Sequence, residues 1–312
     1  MRSSVTLMFL LIGFTGLAIQ AEDSELLKVK VDGADLVCYQ AKPMSKPKGG
    51  QDQFPGSNFI HPLKTPSGFV VTDLQPGDHL HHFGLWWPWK YIETEGRKVL
   101  CWELQKGDGL IQAKESKLTE DGFTAKSVYI DRKAKGGAKV LLHETLNVKV
   151  SKIIDKPARG YILDLEIVHE VAGDKPITVS KYRYSGFSFR GTPAWDAKTS
   201  SVLTSEGKDY DAANFTRSKW VRVEGQAGEG KTAGVLLMSR SDNQDHPEKL
   251  RTWNKKTHHG SIFVNFNTVQ EKSWVFEPGK KYPRNFRVFV YDGKVTAEQA
   301  EGMWKAYAKA AK

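Results

Sequence analysis

Cysteine is almost absent from this chain: Cys38 and Cys101 are the only two in 312 residues. A framework of disulfides is excluded, so stability has to come from a hydrophobic core, which a chain of this length can build. Each cysteine is flanked by strand-like residues, and one bridge or two buried thiols both fit that setting. Long apolar runs are missing after residue 21, and nothing there approaches the roughly 20 apolar residues of a spanning helix. A Gly-Lys-Ser/Thr phosphate loop, a dinucleotide glycine fingerprint, a serine elbow and a His-Glu-x-x-His helix are also absent. Nucleotide hydrolysis, nicotinamide chemistry and serine-hydrolase chemistry therefore have no support in the sequence.

The first 21 residues have the form of a secretory signal peptide. Arg2 precedes an apolar run over residues 6–17, and Ala18-Ile19-Gln20-Ala21 ends it with small residues before Glu22-Asp23. The run is too short to span a membrane comfortably, and no cysteine sits at the cleavage point to carry a lipid. The expectation is an exported protein, periplasmic or extracellular, with a mature chain over 22–312 and no transmembrane segment. Its formal charge is +10, from 46 basic and 36 acidic residues. The excess is spread along the chain and no nucleic-acid motif accompanies it, so a solvated basic surface is expected and a nucleic-acid partner is not.

What the sequence does have is the two-residue alternation of half-buried strands. Tyr161, Leu163, Leu165, Ile167 and His169 share one face, with Asp164 and Glu166 on the other. Phe286, Val288 and Val290 repeat the pattern. Further strands are predicted near residues 69–72, 99–104, 123–130, 140–150, 177–184, 220–223, 234–238, 262–267 and 274–276. Helical periodicity of any length occurs once, at the C-terminus. There Thr296 and Gln299 make a capping box, and Ala300, Met303, Trp304, Tyr307 and Ala311 form one apolar stripe. With no βαβ alternation, a parallel doubly wound sheet is excluded. The expected architecture is all-β, a single large antiparallel β-sandwich of about a dozen strands with a C-terminal helix.

One segment concentrates chemistry: Pro76-Gly77-Asp78-His79-Leu80-His81-His82-Phe83-Gly84-Leu85-Trp86-Trp87-Pro88-Trp89. It holds three of the nine histidines and three of the nine tryptophans. Imidazoles near neutral pH serve as metal ligands or proton-transfer groups, and indoles give flat contact surfaces for sugars or cations. If the segment is an extended strand, His79 and His81 share a face while Asp78 and His82 point the other way. Two imidazoles so placed can ligate a transition metal with a third ligand from elsewhere, or line a polar pocket that binds a ligand directly.

Two further clusters stand out. In Lys181-Tyr182-Arg183-Tyr184-Ser185-Gly186-Phe187-Ser188-Phe189-Arg190, the tyrosines share a strand face. Arg190 presents a planar fork for a carboxylate or hydroxyls, unless it simply pairs with Asp196. The loop Ser239-Arg240-Ser241-Asp242-Asn243-Gln244-Asp245-His246-Pro247 is rich in groups that both donate and accept. His258-His259-Gly260 adds two more imidazoles, whereas His143 and His169 fall within strand patterns and read as structural.

At these clusters, and at Phe59-Ile60-His61-Pro62-Leu63-Lys64-Thr65-Pro66-Ser67-Gly68, Trp195-Asp196, Pro278-Gly279 and Tyr291-Asp292-Gly293, the chain resembles a bacterial family of unknown function. That family commonly carries the label "PmoA family protein". As a function the label is physically untenable, since the methane monooxygenase subunit of that name has several spanning helices. The resemblance implies a soluble antiparallel sandwich similar to the galactose-mutarotase supersandwich. Its members accompany sugar oxidoreductases and sugar-cleaving proteins in polysaccharide-degrading bacteria. Position 83 is Phe here, where the family pattern often has Arg or a similar residue.

Three readings follow. In the first the protein is a carbohydrate-active enzyme, a sugar isomerase, hydrolase or lyase acting on a small-molecule or oligosaccharide ligand. His79 or His81, with His82 beside them, would supply the base, and Asp78 or Glu103 its orienter or partner acid. Trp87, Tyr184, Arg190, Asn243 and His246 would hold the sugar. In the second the same residues only bind carbohydrate. In the third they hold copper or zinc, with the ion at His79 and His81; no cofactor is required by the first two. The three segments are expected to converge on one face of the sandwich.

Overall fold

A computed structural model describes residues 25–44 and 56–309; the leader-like residues 1–21, and Ala311 of the predicted helical stripe, lie outside them. Every strand pairing is antiparallel, and nineteen strands fall into three sheets among the described residues. The seven-stranded sheet runs, in spatial order, Leu26–Val31, Ala34–Gln40, Ile60–Leu63, Leu85–Trp86, Ser188–Arg190, Phe263–Asn267 and Lys249–Thr252. The eight-stranded sheet runs Ser200–Thr204, Trp220–Gln226, Thr232–Ser239, Lys281–Asp292, Arg159–Val171, Lys139–Val150, Gly122–Asp131 and Gly109–Thr119. A four-stranded sheet is made of Trp274–Phe276, Ile177–Val179, Tyr91–Thr94 and Arg97–Leu100.

The two large sheets face each other as the alternation requires. Tyr161, Leu163, Leu165 and Ile167 enter one core with Phe286, Val288 and Val290. From the opposite sheet come Val37, Tyr39, Ile60, Leu85, Phe189 and Val264. On the far side of the eight-stranded sheet, Trp220, Leu236, Met238, Phe289 and Tyr291 receive Ala300 and Tyr307 of the helix Ala297–Lys309. The capping box forms: Thr296 N–H donates to Gln299 Oε1 (2.8 Å), and Gln299 N–H to Thr296 Oγ1 (3.1 Å). On the far side of the seven-stranded sheet, the residues alternating with the core set are Trp86, Arg190 and Phe263. That outer face carries the site.

The expectation of about a dozen strands undercounts. Short strands such as Leu85–Trp86 and Ser188–Arg190 have too few residues for alternation to register. Two predicted strands end early. The strand Arg97–Leu100 stops before Cys101, and Leu104–Lys106 is a 3₁₀ turn. Ile177–Val179 stops before Tyr182 and Tyr184, which pack edge to face in a loop with centroids 4.9 Å apart. Cys38 and Cys101 are both free and buried, Cys101 within the hydrophobic cluster around Trp89 and Ile92.

His61 shows how the fold stores a pH dependence. Thr72 Oγ1 accepts from Leu63 N–H (3.1 Å) and is hydrogen-bonded to His61 Nδ1 (2.9 Å). Burial pushes His61 down from an ordinary 6.5 to about 4. Between those values the unfolded chain binds more protons than the folded one. Stability is therefore complete above pH 6.5 and falls with pH through that window, by about 1.4 kcal/mol per unit for one group. His61→Gln keeps an acceptor for Thr72 and should flatten this slope in urea unfolding between pH 7 and 5. An unchanged slope would contradict it.

Candidate functional site: a histidine-lined cleft on the outer sheet face

The histidine segment is not the extended strand that would separate its side chains. Pro76-Gly77 opens a turn in which His79 N–H donates to Pro76 C=O, and a second turn closes His82 N–H onto His79 C=O (each 2.9 Å). Two consecutive turns place residues three apart on one side, so His79 and His82 stack at 4.7 Å and His81 meets both, at 5.4 and 5.1 Å. The prediction that His82 points away from His79 and His81 is thus overturned. Gly84, in the left-handed region at φ 64°, lets the chain return to the sheet. A Cβ there would stand 2.6 Å from Ile60 C=O.

The three imidazoles border a cavity of about 240 Å³ with Trp102, Glu103, Tyr184, Trp253, His258 and Phe263, and with Arg183 and Arg251. His82 is 3 % exposed, and its ring lies between Trp86 and Phe263, with centroids 5.0 Å from each. Its Nδ1 has no hydrogen-bond partner. A buried unpaired group of this kind costs about 1–3 kcal/mol; His169 Nδ1, in the core, is another such imidazole nitrogen away from the histidine segment among the described residues. Burial holds His81 down at about 4, partly opposed by Glu103, and depresses His82 well below its ordinary value. Both rings are neutral at neutral pH.

Behind the histidines lies a charge relay of fixed geometry. Arg190 donates through Nη2 to both oxygens of Asp78 (3.0 and 3.2 Å), and Asp78 Oδ2 lies 3.1 Å from His79 Nδ1. Burial alone would raise the Asp78 carboxyl; Arg190 and His79 more than offset it and hold it low. The guanidinium is buried and stacks on Trp253 at 4.8 Å. His258 comes over Trp253 (4.2 Å) from a segment in which it and His259 both take left-handed φ, 49° and 57°. Such backbone costs on the order of 1–3 kcal/mol per residue and clusters at functional sites.

Glu103 anchors the opposite wall. Tyr184 Oη donates to it at 2.7 Å, and Lys90 donates to both its oxygens. Lys90 is buried over the rings of Tyr91, Tyr182 and Tyr184, at 5.0, 5.1 and 4.9 Å. Arg251 is held by Asn214 Oδ1 (3.0 Å) and Thr252 C=O (3.2 Å), and Arg183 packs over Tyr184 at 5.7 Å. Neither guanidinium has a carboxylate partner among the described residues.

Of the residues expected at the site, His79, His81, His82, Glu103 and Tyr184 line the cavity, and Asp78 and Arg190 stand behind it. Arg190 pairs with Asp78 and not with Asp196, which caps its own turn through Thr199 and Lys198. Trp87 lies in the sandwich core, its Nε1 donating to Glu144 (2.8 Å). Asn243 and His246 do not join. Asn243 bridges Asn285 N–H (2.7 Å) and C=O (2.8 Å), and His246 stacks on Trp304 of the C-terminal helix. The expected convergence of three segments thus fails for the third, whose polar groups are spent locally. Trp253, Arg251 and Lys90 were missed. Arg251 sits at an alternating position of Lys249–Thr252, which four residues are too few to reveal.

The fold and site describe an antiparallel β-sandwich with a polar, aromatic-walled cleft on one outer face. The chain belongs to a family of unknown function, DUF6807, whose model matches residues 26–305. The PmoA label is not part of that description. No curated protein matches the chain in sequence. Among solved structures it is similar to the Slr1438 protein from Synechocystis, at 10 % identity over 85 % of this chain and 95 % of that one, TM-score 0.43. An α-galactosidase from Geobacillus stearothermophilus matches at 11 % identity and TM-score 0.43, over 86 % of this chain and 40 % of that one. A polysaccharide lyase matches at 10 % and 0.38, over 81 % and 33 %. The chain thus spans well under half of either enzyme. No helix among the described residues is long and apolar enough to cross a membrane.

Gly84→Ala tests the turn that delivers the histidines. The added methyl group meets backbone at 2.6 Å in a left-handed conformation, so a stability loss of roughly 1–3 kcal/mol is expected in chemical unfolding. A neutral result would show that the return at Gly84 is not constrained.

Proposed function

We propose that the cleft binds an acidic carbohydrate and acts on it by proton transfer. The observation that carries this reading is the pair Arg183 and Arg251 on the cavity wall. Arg251 is fixed by Asn214 and Thr252, Arg183 is exposed and packs over Tyr184, and neither meets a carboxylate among the described residues. Burial, and after it the like charge of Arg183, lower the Arg251 pKa, so the half-buried Arg251 has an uncompensated neighbour of its own sign. A ligand carboxylate is what such a pair lacks, and guanidinium forks suit one better than any neutral hydroxyl. Trp102 and Trp253 border the cavity but are buried, at 2 % and 6 % exposure, so the guanidiniums and not an aromatic face carry the reading.

Glu103 is the group placed to move a proton. Its carboxylate is oriented by Tyr184 and Lys90 and borders the cavity, across from the histidines. Such a base serves removal of the proton on the carbon beside a sugar carboxylate, followed either by expulsion of the β-oxygen, which leaves with a proton, or by return of a proton to the opposite face, which inverts that carbon. Export through residues 1–21 belongs to the same proposal, and an intact mass of secreted protein beginning near Glu22 would support it.

Titration of uronate-containing and neutral oligosaccharides, followed by NMR, tests the reading. Acidic sugars should bind more tightly, and Arg251→Gln should erase that preference, by roughly 10- to 100-fold for a lost charge-assisted contact. Once a substrate is found, Glu103→Gln should lose on the order of 10²–10⁴ in rate with affinity little changed. Equal affinity for neutral sugars in both proteins would refute the acidic-ligand reading, and binding without any turnover would leave a binding module.

A further inference from the structure

We propose that His79, His81 and His82 together hold a divalent transition-metal ion of the zinc type. One nitrogen from each lies within 4.8 Å of the others. A ring nitrogen of His82, itself 97 % enclosed by its 3 % exposure, has no partner. The fold thus maintains an orphaned imidazole inside an aromatic wall, beside two more, and a metal ion is the group that satisfies all three. Neutral imidazoles are borderline ligands that suit zinc, copper and cobalt over magnesium or calcium. In a tetrahedral site, ligand nitrogens about 2.1 Å from the ion stand about 3.4 Å apart, so the rings must close by up to roughly 1.4 Å. His79 and His81, less enclosed than His82, have room to do so.

The surroundings of His79 support the same assignment. Asp78 Oδ2 lies 3.1 Å from His79 Nδ1 but off hydrogen-bond geometry; a small turn of the ring would close that contact, keep the proton on Nδ1 and leave Nε2 as the ligating atom. This is the carboxylate–histidine arrangement that orients metal ligands, and Arg190 in turn holds the carboxylate. A second group, Asp78, His79 and His258, also lies within ligand distance. Its carboxylate is already neutralised by Arg190, so a cation there would sit against a guanidinium. No guanidinium is hydrogen-bonded to a member of the three-histidine group; Arg190 acts on His82 only through space, and Glu103 on the opposite wall is itself paired with Lys90. The assignment takes the histidines out of the proton-transfer role expected from sequence and leaves that role to Glu103.

Tag-free protein dialysed against Zn²⁺ or Co²⁺ tests this without any sugar, so the outcome is independent of the proposed function. Stoichiometric loading is expected, with Co²⁺ giving the intense visible absorption of a four-coordinate site. His79→Ala and His81→Ala should lose stoichiometric loading while keeping their melting temperatures. Asp78→Asn should weaken zinc affinity by 10- to 100-fold with the Co²⁺ spectrum shifted. His258→Ala should load like the natural protein. Substoichiometric loading of the natural protein, or loading undiminished in His79→Ala and His81→Ala, would overturn the proposal; loss in His258→Ala would move the ion to the second group. The native Co²⁺ spectrum decides the matter even if a variant fails to fold.

Discussion

Glu144 is fully buried and ionisable, and the rest of the structure is arranged around satisfying it. Its Oε1 accepts from Asn58 Nδ2 (2.7 Å) and Trp87 Nε1 (2.8 Å); its Oε2 lies 2.8 Å from His169 Nε2 and accepts from Tyr129 Oη (3.4 Å). Burial alone would drive this carboxyl up, but His169 and the donors from Trp87 and Asn58 bring it below its ordinary value. An uncompensated charge at this depth would cost several kcal/mol, so each donor is obligatory. Tyr129, Glu144 and His169 come from three adjacent strands of the eight-stranded sheet. Asn58 and Trp87 come from the chain just before Ile60–Leu63 and just after Leu85–Trp86. One carboxylate therefore pins the two large sheets together at the residues that flank the histidine segment.

With its ends fixed there, the intervening chain has little choice of path. Residues 76–82 form two tight turns above the sheet face that Trp86, Arg190 and Phe263 share, and Gly84 brings the chain back. Arg190 projects from the neighbouring strand to meet Asp78, so the turn and the sheet are bonded to each other. His79 inherits its orientation from that pair. The opposite wall is built in the same way, with Lys90 directly after the pinned tryptophan segment and donating to Glu103. The cleft is thus a consequence of how the interior is neutralised, and its groups are held by side chains whose own positions are fixed. Such support is what binding sites and proton-transfer sites require.

Much of this was legible in the sequence, for reasons that can be named. Alternation at Tyr161, Leu163, Leu165 and Ile167 has period two because one face meets a core, and the structure bears out an all-β antiparallel sandwich. Thr296 and Gln299 announced their helix because capping is a local interaction. Asp78, His79, His81 and His82 were visible because they are neighbours in the chain. Trp253 and Arg251 were not, and His258 stood out only as an isolated imidazole, because they reach the cleft through a strand order in which 249–252 and 263–267 extend the sheet beyond 188–190. Asn243 and His246 misled because a polar loop looks the same whether it serves a ligand or its own backbone. Trp87 misled for a related reason: along Trp86-Trp87 only strand alternation decides which indole faces the cleft, and the strand there is two residues long.

The central claim is that the cleft bordered by the histidines, Glu103 and the two arginines is where this protein meets its ligand. A crystal structure of the protein soaked with an acidic oligosaccharide tests it most directly. The account predicts the sugar in that cavity, with its carboxylate between Arg183 and Arg251. A sugar seated on another face of the sandwich, with the cleft unchanged, would contradict it.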